Sequence, residues 1–323
     1  MKKPLIPQIR KKRRIAKLEA RSMAVNGRSP VLQQSRMLFL LITDITNPFY
    51  TALARGAEDA ARKSGYSMIM GNSDENQEME KAYVDTILAI RVDGVLMVPA
   101  GDASLPHLDA LRRHNVPFVL LDREVPGVDS DIVLGDSKES GRTLVEHLAS
   151  LGHRRIAMIN GSNDVSSARL RLEGYREALT LNDLLIEKQY ILETTLEPRS
   201  NLAEIEYWLC AMSSPPTAIV AGNNALALQV IRALAKRGKS VPDDVSLVCF
   251  DDLGPYPEID TFMTVISRQA YQFGYIGTQL LIERIQDRSS PPQPLRKVVL
   301  PGEMIVRRSV ADLTCSRSLG KSS

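Results

Sequence analysis

From residue 37 onward the chain repeats one pattern: a short apolar run, mostly Val, Ile and Leu, that does not alternate with polar residues, then an amphipathic stretch of helical period. Such runs fall at 37–43, 66–71, 94–98, 118–122 and 132–134, and again at 155–160, 190–193, 218–221 and 245–251. Helical patterns separate them at 49–64, 78–91, 105–115, 138–151, 168–182, 201–212 and 224–237. A last helix at 271–287 and a strand at 297–300 follow. Strands without alternation are buried on both faces, which is the signature of a parallel sheet covered by helices. The predicted class is therefore α/β, with two successive doubly wound parallel-sheet subdomains and a cleft between them. Turn chemistry agrees: Pro48 opens a helix, and Gly65, Gly152 and Gly238 each follow a helix end.

The predicted boundaries are a first subdomain at 37–135, completed by about 266–295, and a second at 136–265, completed by about 296–310. A basic arm occupies 1–36 and a flexible tail 311–323. The arm holds eleven Lys or Arg against the single acid Glu19, giving +10, while the rest of the chain carries 30 basic and 37 acidic residues, giving −7. A basic arm on a mildly acidic body fits either a polyanion partner or a solvated tail.

Composition excludes several classes. Apolar residues make up 44% and charged residues 24%, the balance of a globular protein. No apolar run approaches the ~20 residues that cross a bilayer, and no apolar segment of a secretory signal follows the basic start, so a cytoplasmic, non-membrane chain is expected. Cys210, Cys249 and Cys315 are too few and too scattered for a disulfide framework or a CxxC metal site. Neither GxGxxG nor GxxxxGK[ST] follows a strand, so no nucleotide cofactor is expected.

Ligands of open α/β folds bind at the carboxyl ends of the strands. Reading those ends gives Asp44, Asn47 and Phe49; Asp122 and Arg123; Asn163, Arg169 and Arg171; Asn223 and Asn224; and Asp251 and Asp252. Singly, each Asn or Asp there could cap a helix. Together, planar amides, carboxylates and guanidinium groups suit vicinal hydroxyls, and Phe49 could cover a C–H face. The combination points to a sugar or another small polar metabolite. Catalysis finds no equivalent support. His107, His114, His147 and His153 lie away from the strand ends, and no GxSxG elbow or HExxH ligand pair occurs. No enzyme, catalytic residue or metal site is expected.

Ordered motifs from about Leu38 to Ser309 carry a resemblance: LFLLITDITNPFY, GNSDEN, RVDGVLMVPAG, PFVLLDRE, VEHLASLGHRRIAMING, ARLRLEGYREAL, PTAIVAGNNALAL, SVPDDVSLVCFDD and VVLPGEMIVRRS. The chain resembles the lactose-repressor (LacI/GalR) family of bacterial transcription regulators. That resemblance implies an architecture of the type I periplasmic-binding-protein kind, two subdomains joined by three crossovers. It also implies a sugar or sugar-derivative effector in the cleft, DNA as a partner and a homodimer. The implied effector contacts are Asp44, Asn47, Phe49, Asp122, Arg123, Arg171, Asn223 and Asp251. Arg268 stands where the family has Gln, and Asn224 where its Asn-Asp pair has the acid. Both changes add positive charge, from which an effector with a carboxylate or phosphate is expected.

The arm departs further from the family. Leu5 to Lys12 loosely resembles the opening of the third headpiece helix, and the two preceding helices have no counterpart. The expected DNA-contacting residues are Arg10, Lys11, Lys12, Arg13, Arg14 and Arg28, with Val31 as a hinge wedge beside Pro30. Three arrangements fit: a start inside a longer gene product, a headpiece-less effector-binding protein without sequence-specific DNA binding, or an arm that binds DNA weakly by charge.

Overall fold

A computed structural model describes residues 35–195, 201–252, 262–287 and 293–314. The expected DNA-contacting residues of the arm lie outside these.

The described residues form two six-stranded sheets with helices on both faces. The first sheet contains β1 (Met37–Ile42), β2 (Ser67–Asn72), β3 (Gly94–Met97), β4 (Phe118–Leu121), β5 (Asp131–Gly135) and β11 (Lys297–Leu300), in the order β11-β5-β4-β3-β1-β2, all parallel. The second contains β6 (Ile156–Gly161), β7 (Ile191–Thr194), β8 (Ala218–Ala221), β9 (Ser246–Phe250), β10 (Thr264–Ser267) and β12 (Glu303–Ile305). Its order is β12-β10-β9-β8-β6-β7, parallel except for the pair β10–β12. Both sheets reverse their strand order beside the first strand of the lobe, between β1 and β3 and between β6 and β8. The fold class expected from the unbroken apolar runs is the one observed. Strands β3, β6, β8 and β9 are buried at every residue, as sheets covered on both faces require.

The helices are α1 (Pro48–Lys63), α2 (Gln77–Ile90), α3 (Leu105–Arg113), α4 (Ser137–Ser150), α5 (Ser166–Leu181), α6 (Leu202–Ala211), α7 (Asn224–Ala235) and α8 (Ala270–Gln286). Helix α1 starts on its sequence signal: Asn47 Oδ1 accepts from Phe49 N and Pro48 sits in the first turn. It ends with Arg62 and Lys63 before Gly65, whose φ of 74° suits a residue without a Cβ.

Three expectations need correction. Strand β11 pairs with β5 and belongs to the first sheet, not to the second lobe as its position after residue 296 implied. The buried Asp131 on β5 holds it there, accepting from Arg296 N (2.8 Å) and from Arg284 of α8 (2.8 Å). Conversely Thr264–Ser267 lies in the second sheet, so the first lobe is completed by α8 and β11. The tail is anchored as far as residue 314. Leu313 N donates to Leu151 O (2.9 Å), and Ala311 N donates to Ser246 Oγ (2.9 Å).

The chain crosses between sheets at 135–137, 267–270 and 300–303. The crossings lie side by side, since Asp136 Oδ1 on the first accepts from Gly302 N on the third (3.1 Å). Each lobe also has one close helix pair. A Cβ on Gly274 of α8 would fall well inside contact with the Leu53 carbonyl oxygen of α1, and one on Gly174 of α5 would meet the Lys138 carbonyl of α4 in the same way. Backbone is the obstruction in both, so no side-chain rotation relieves it. Gly274→Ala is expected to cost about 1–3 kcal/mol or more, read as a lower urea midpoint at unchanged m-value. A midpoint equal to that of the parent would mean that the helices separate without cost.

Candidate functional site

The strand ends of both sheets meet in the cleft, and the buried groups there form a connected set. Arg268, on the second crossover, lies at its centre with a side chain 4% exposed. Its Nε and Nη2 donate to the two oxygens of Asp251, each at 2.7 Å, while Nη1 donates to Asp122 Oδ1. Asp122 follows β4 in the first sheet and Asp251 follows β9 in the second. One guanidinium therefore ties the two lobes together. Its carbon stands 3.7 Å from the centroid of the Phe49 ring, which is braced edge-on by Tyr50 and Phe273.

The backbone prepares both carboxylates in the same way. Asp122 and Asp251 have φ of 64° and 66°, a left-handed conformation that Asp tolerates better than most residues with a side chain. Asp122 N donates to Val133 O (2.8 Å) and Asp251 N to Ile266 O (3.0 Å), so each turn is pinned to the neighbouring strand. Burial alone would raise the Asp122 carboxyl. The charges of Arg268, Arg171 and Arg123 outweigh it and hold the group below its ordinary value. Burial opposes the charge on Arg268 as well, yet Asp122 and Asp251 push its guanidinium further above the usual range.

The other two arginines are placed differently. Arg123 turns into the first lobe, where Nη1 and Nη2 donate to Glu75 at 2.6 and 2.7 Å and Nη1 also donates to Pro99 O (3.0 Å). Its Nη2 reaches the Tyr50 hydroxyl (3.3 Å), which in turn donates to Asp122 Oδ2 (3.4 Å). Arg171 donates to Gly222 O (2.5 Å) and stacks over Phe250 with its carbon 4.4 Å from the ring centroid. Its Nε is buried without a hydrogen-bond partner. Burial, reinforced by the charge of Arg268, lowers the Arg171 guanidinium to about 10.

The amides divide their roles. Asn223 Oδ1 caps α7 by accepting from Leu226 N (2.8 Å). Asn224 is the one that crosses the cleft, its Nδ2 donating to Asn47 Oδ1 (3.1 Å) and to Asp252 O (3.2 Å). Asp44 is buried and its Oδ1 accepts from Thr46 N (2.8 Å) and Thr46 Oγ1 (2.6 Å), closing a local turn after β1. On the opposite lip Asp102 N donates to Asp164 O (2.9 Å), Arg169 pairs with Asp102 (3.1 Å), and Glu124 N donates to Ser166 Oγ (2.9 Å).

The structure thus brings together Phe49, Asp122, Asp251 and Arg268, with Arg171 close by and Arg123 joined through Tyr50. The positive charge expected from Arg268 is cancelled, because two carboxylates share it. Tyr50 and Glu75 were missed by strand-end reading. Tyr50 sits one residue past the positions taken after β1, and Glu75 lies within the GNSDEN motif without any spacing that marks it as an arginine partner. Of the histidines, His153 bonds Thr217 Oγ1 (3.0 Å) and Ala311 O (3.1 Å), away from the strand ends. His107 pairs at 2.5 Å with the fully buried Glu80, whose Oε2 accepts from Ala100 N behind the lip.

Two lobes with matched strand-order reversals and a buried polar set between their strand ends define the class of two-lobed small-ligand receptors. Residues 145–310 match the periplasmic binding protein-like domain family. The chain is 32% identical to the ribose operon repressor of Escherichia coli (strain K12) over 294 residues, covering 87% of each protein. It is 27% identical to the HTH-type transcriptional repressor PurR of Photobacterium profundum, covering 89% of this chain and 85% of that protein. Among solved structures, a LacI family transcriptional regulator from Enterococcus faecium with bound ribose superposes with a TM-score of 0.75 at 28% identity, over 86% of this chain and all of the other. The chain belongs to the lactose-repressor family of transcription regulators, with a periplasmic-binding-protein-like effector domain.

The depressed Asp122 carboxyl gives a pH signature. Its ion pairing stabilises the fold fully above the unfolded value, near 4, and the contribution is lost as pH falls through the lower folded value. Asp122→Asn is expected to cost about 3 kcal/mol at pH 7, because it leaves a buried guanidinium short of a partner. The gap between parent and variant urea midpoints should shrink towards pH 3, and a gap independent of pH would show that Asp122 carries no special charge stabilisation.

Proposed function

We propose that this chain is a cytoplasmic DNA-binding transcription regulator that senses a small hydroxyl-rich effector, a sugar or close derivative, in the cleft between its lobes. The observation that carries this reading is the buried polar set of Asp122, Asp251, Arg171 and Arg268 beside Phe49, converging from the strand ends of both sheets. Carboxylates and guanidinium groups offer paired acceptors and donors at the spacing of vicinal hydroxyls. The remaining proposed contacts are Asp44, Asn47, Phe49, Arg123 and Asn223. The ribose-bound regulator and the ribose operon repressor support a sugar, and a purine base serves as the non-sugar control.

Charge balance bears on the effector class. Arg268 and Arg171 are matched by Asp122 and Asp251, and Arg123 by Glu75, so a neutral polyol fits better than a sugar acid or sugar phosphate. Calorimetric titration with ribose, glucose, glucuronate, ribose 5-phosphate and hypoxanthine tests this. A neutral sugar is expected to bind at least about tenfold more tightly than the anions or the purine, and Arg171→Met to weaken it by about tenfold or more. Tighter binding of an anion or of hypoxanthine would overturn the effector class.

Output on DNA is proposed from the family and from the +10 arm, with Arg10, Lys11, Lys12, Arg13, Arg14, Arg28 and Val31 as contacts. Gel shifts with promoter and random DNA at physiological salt are decisive, since equal affinity for both would leave an effector-binding protein without sequence-specific DNA binding. A homodimer is part of the same proposal. Helices α1 and α8 are packed on each other at Gly56 and Gly274, so their facing surfaces are taken up within one chain. An apolar groove along the edge strand β2 remains, a cavity of about 360 Å³ lined by Ile45, Ala54, Met68 and Met70, with Ile45 42% and Met70 44% exposed. Met70→Glu is expected to shift the sedimentation coefficient to that of a monomer, and an unchanged dimer would move the interface elsewhere.

A further inference from the structure

Arg268 uses the groups that a ligand of the cleft would need. Both oxygens of Asp251 and one of Asp122 are engaged by its guanidinium, and the same guanidinium covers the ring of Phe49. The three partners come from different places in the fold: the end of β4, the end of β9 and the start of α1. Arg268 itself lies on a crossover that belongs to both lobes, so its bonds join the lobes independently of anything else in the cleft. Other cross-cleft bonds among the described residues, Asn224 to Asn47, Asp102 N to Asp164 O, Arg169 to Asp102 and Glu124 N to Ser166 Oγ, form only when the lobes are close.

We propose that Arg268 is an internal latch: its guanidinium fills the seat between Asp122, Asp251 and Phe49, holds the two lobes together without a ligand, and must be displaced by any effector of the cleft. The first two parts stand on this geometry alone, and only the third rests on the effector reading above. An arginine suits the task because its planar fork satisfies Asp251 with two parallel bonds and still reaches Asp122, which the single ammonium of a lysine could not reproduce. Displacement sets a selection rule. A ligand has to offer donors to both carboxylates and an apolar face to Phe49 before it can compete with an intramolecular group of fixed position. A latch closed in nine molecules of ten weakens the apparent affinity of such a ligand about tenfold.

Amide hydrogen exchange on the full chain without added ligand tests the latch, because the amides of Asp102 and Glu124 donate across the cleft and report its closure directly. In the parent protein both amides are expected to exchange at least about tenfold more slowly than in Arg268→Gln, with the central strands β3 and β8 equally protected in both as the control. If Arg268→Gln loses protection in β3 and β8 as well, it has unfolded. Asp251→Gly then carries the comparison, since it removes both acceptors of the second lobe, suits the left-handed backbone there and leaves Arg268 with Asp122. Exchange at Asp102 and Glu124 that is fast in the parent, or unchanged in the folded variant, overturns the latch. The displacement step is overturned separately by a crystal structure with a bound sugar in which Arg268 still spans Asp122 and Asp251. Failure of every sugar in the calorimetric panel would remove the effector reading and leave the exchange result standing.

Discussion

The contact on which this molecule turns is the ion triad of Asp122, Arg268 and Asp251. Each lobe has its own sheet and its own apolar clusters on both sheet faces, so the relation between lobes depends on the three crossovers and on what the strand ends hold in common. Three buried charges are costly to desolvate, and only close pairing offsets that cost. Burial of the triad therefore ties the charge state of the site to lobe separation: opening the cleft gives each carboxylate water in place of the guanidinium, and closing it requires the pairing. A hydrophobic replacement could hold two lobes together, but it could not make their separation sensitive to a polar ligand.

The two lobes solve the same local problem twice. In each, the strand beside the crevice ends in an aspartate of left-handed backbone, Asp122 and Asp251, and in each a glycine lets two helices approach until backbone meets backbone. The paired turns direct both carboxylates towards the cleft. The paired helix contacts fix where α1 and α5 begin, and with them Phe49 at the start of one and Arg171 in the second turn of the other. Packing far from the cleft thus sets the geometry within it.

Much of this was legible in the chain itself. Ten of the twelve described strands and all eight described helices follow from apolar runs and helical periodicity, because burial on both faces leaves a mark on each residue in turn. Strands β10 (Thr-Val-Ile-Ser) and β12 (Glu-Met-Ile) escaped because each holds only two adjacent apolar residues, too few to stand out as a run. The run at 297–300 was seen but assigned to the wrong lobe, since periodicity says that a strand exists and nothing about which sheet receives it. That choice was made by Asp131 and its arginine partners, more than 150 positions away in sequence.

The site shows the same division. Strand-end position and family motifs pointed to Phe49, Asp122, Arg171 and Asp251, yet the electrostatics of Arg268 were misread because its partners lie 17 and 146 residues away. Counted along the chain, Arg268 is one more positive charge. In the folded protein it is taken up by two carboxylates, and the cleft is left close to neutral, with Arg123 and Arg171 each keeping a buried Nε that lacks an acceptor. An additional arginine is ordinarily read as a change in what a site attracts. Placed between two carboxylates from different lobes, it also changes what the lobes do to each other. A ligand can shift a two-state equilibrium only by its differential affinity for the two states. A residue that stabilises one state from within therefore resets the starting population on which every ligand acts.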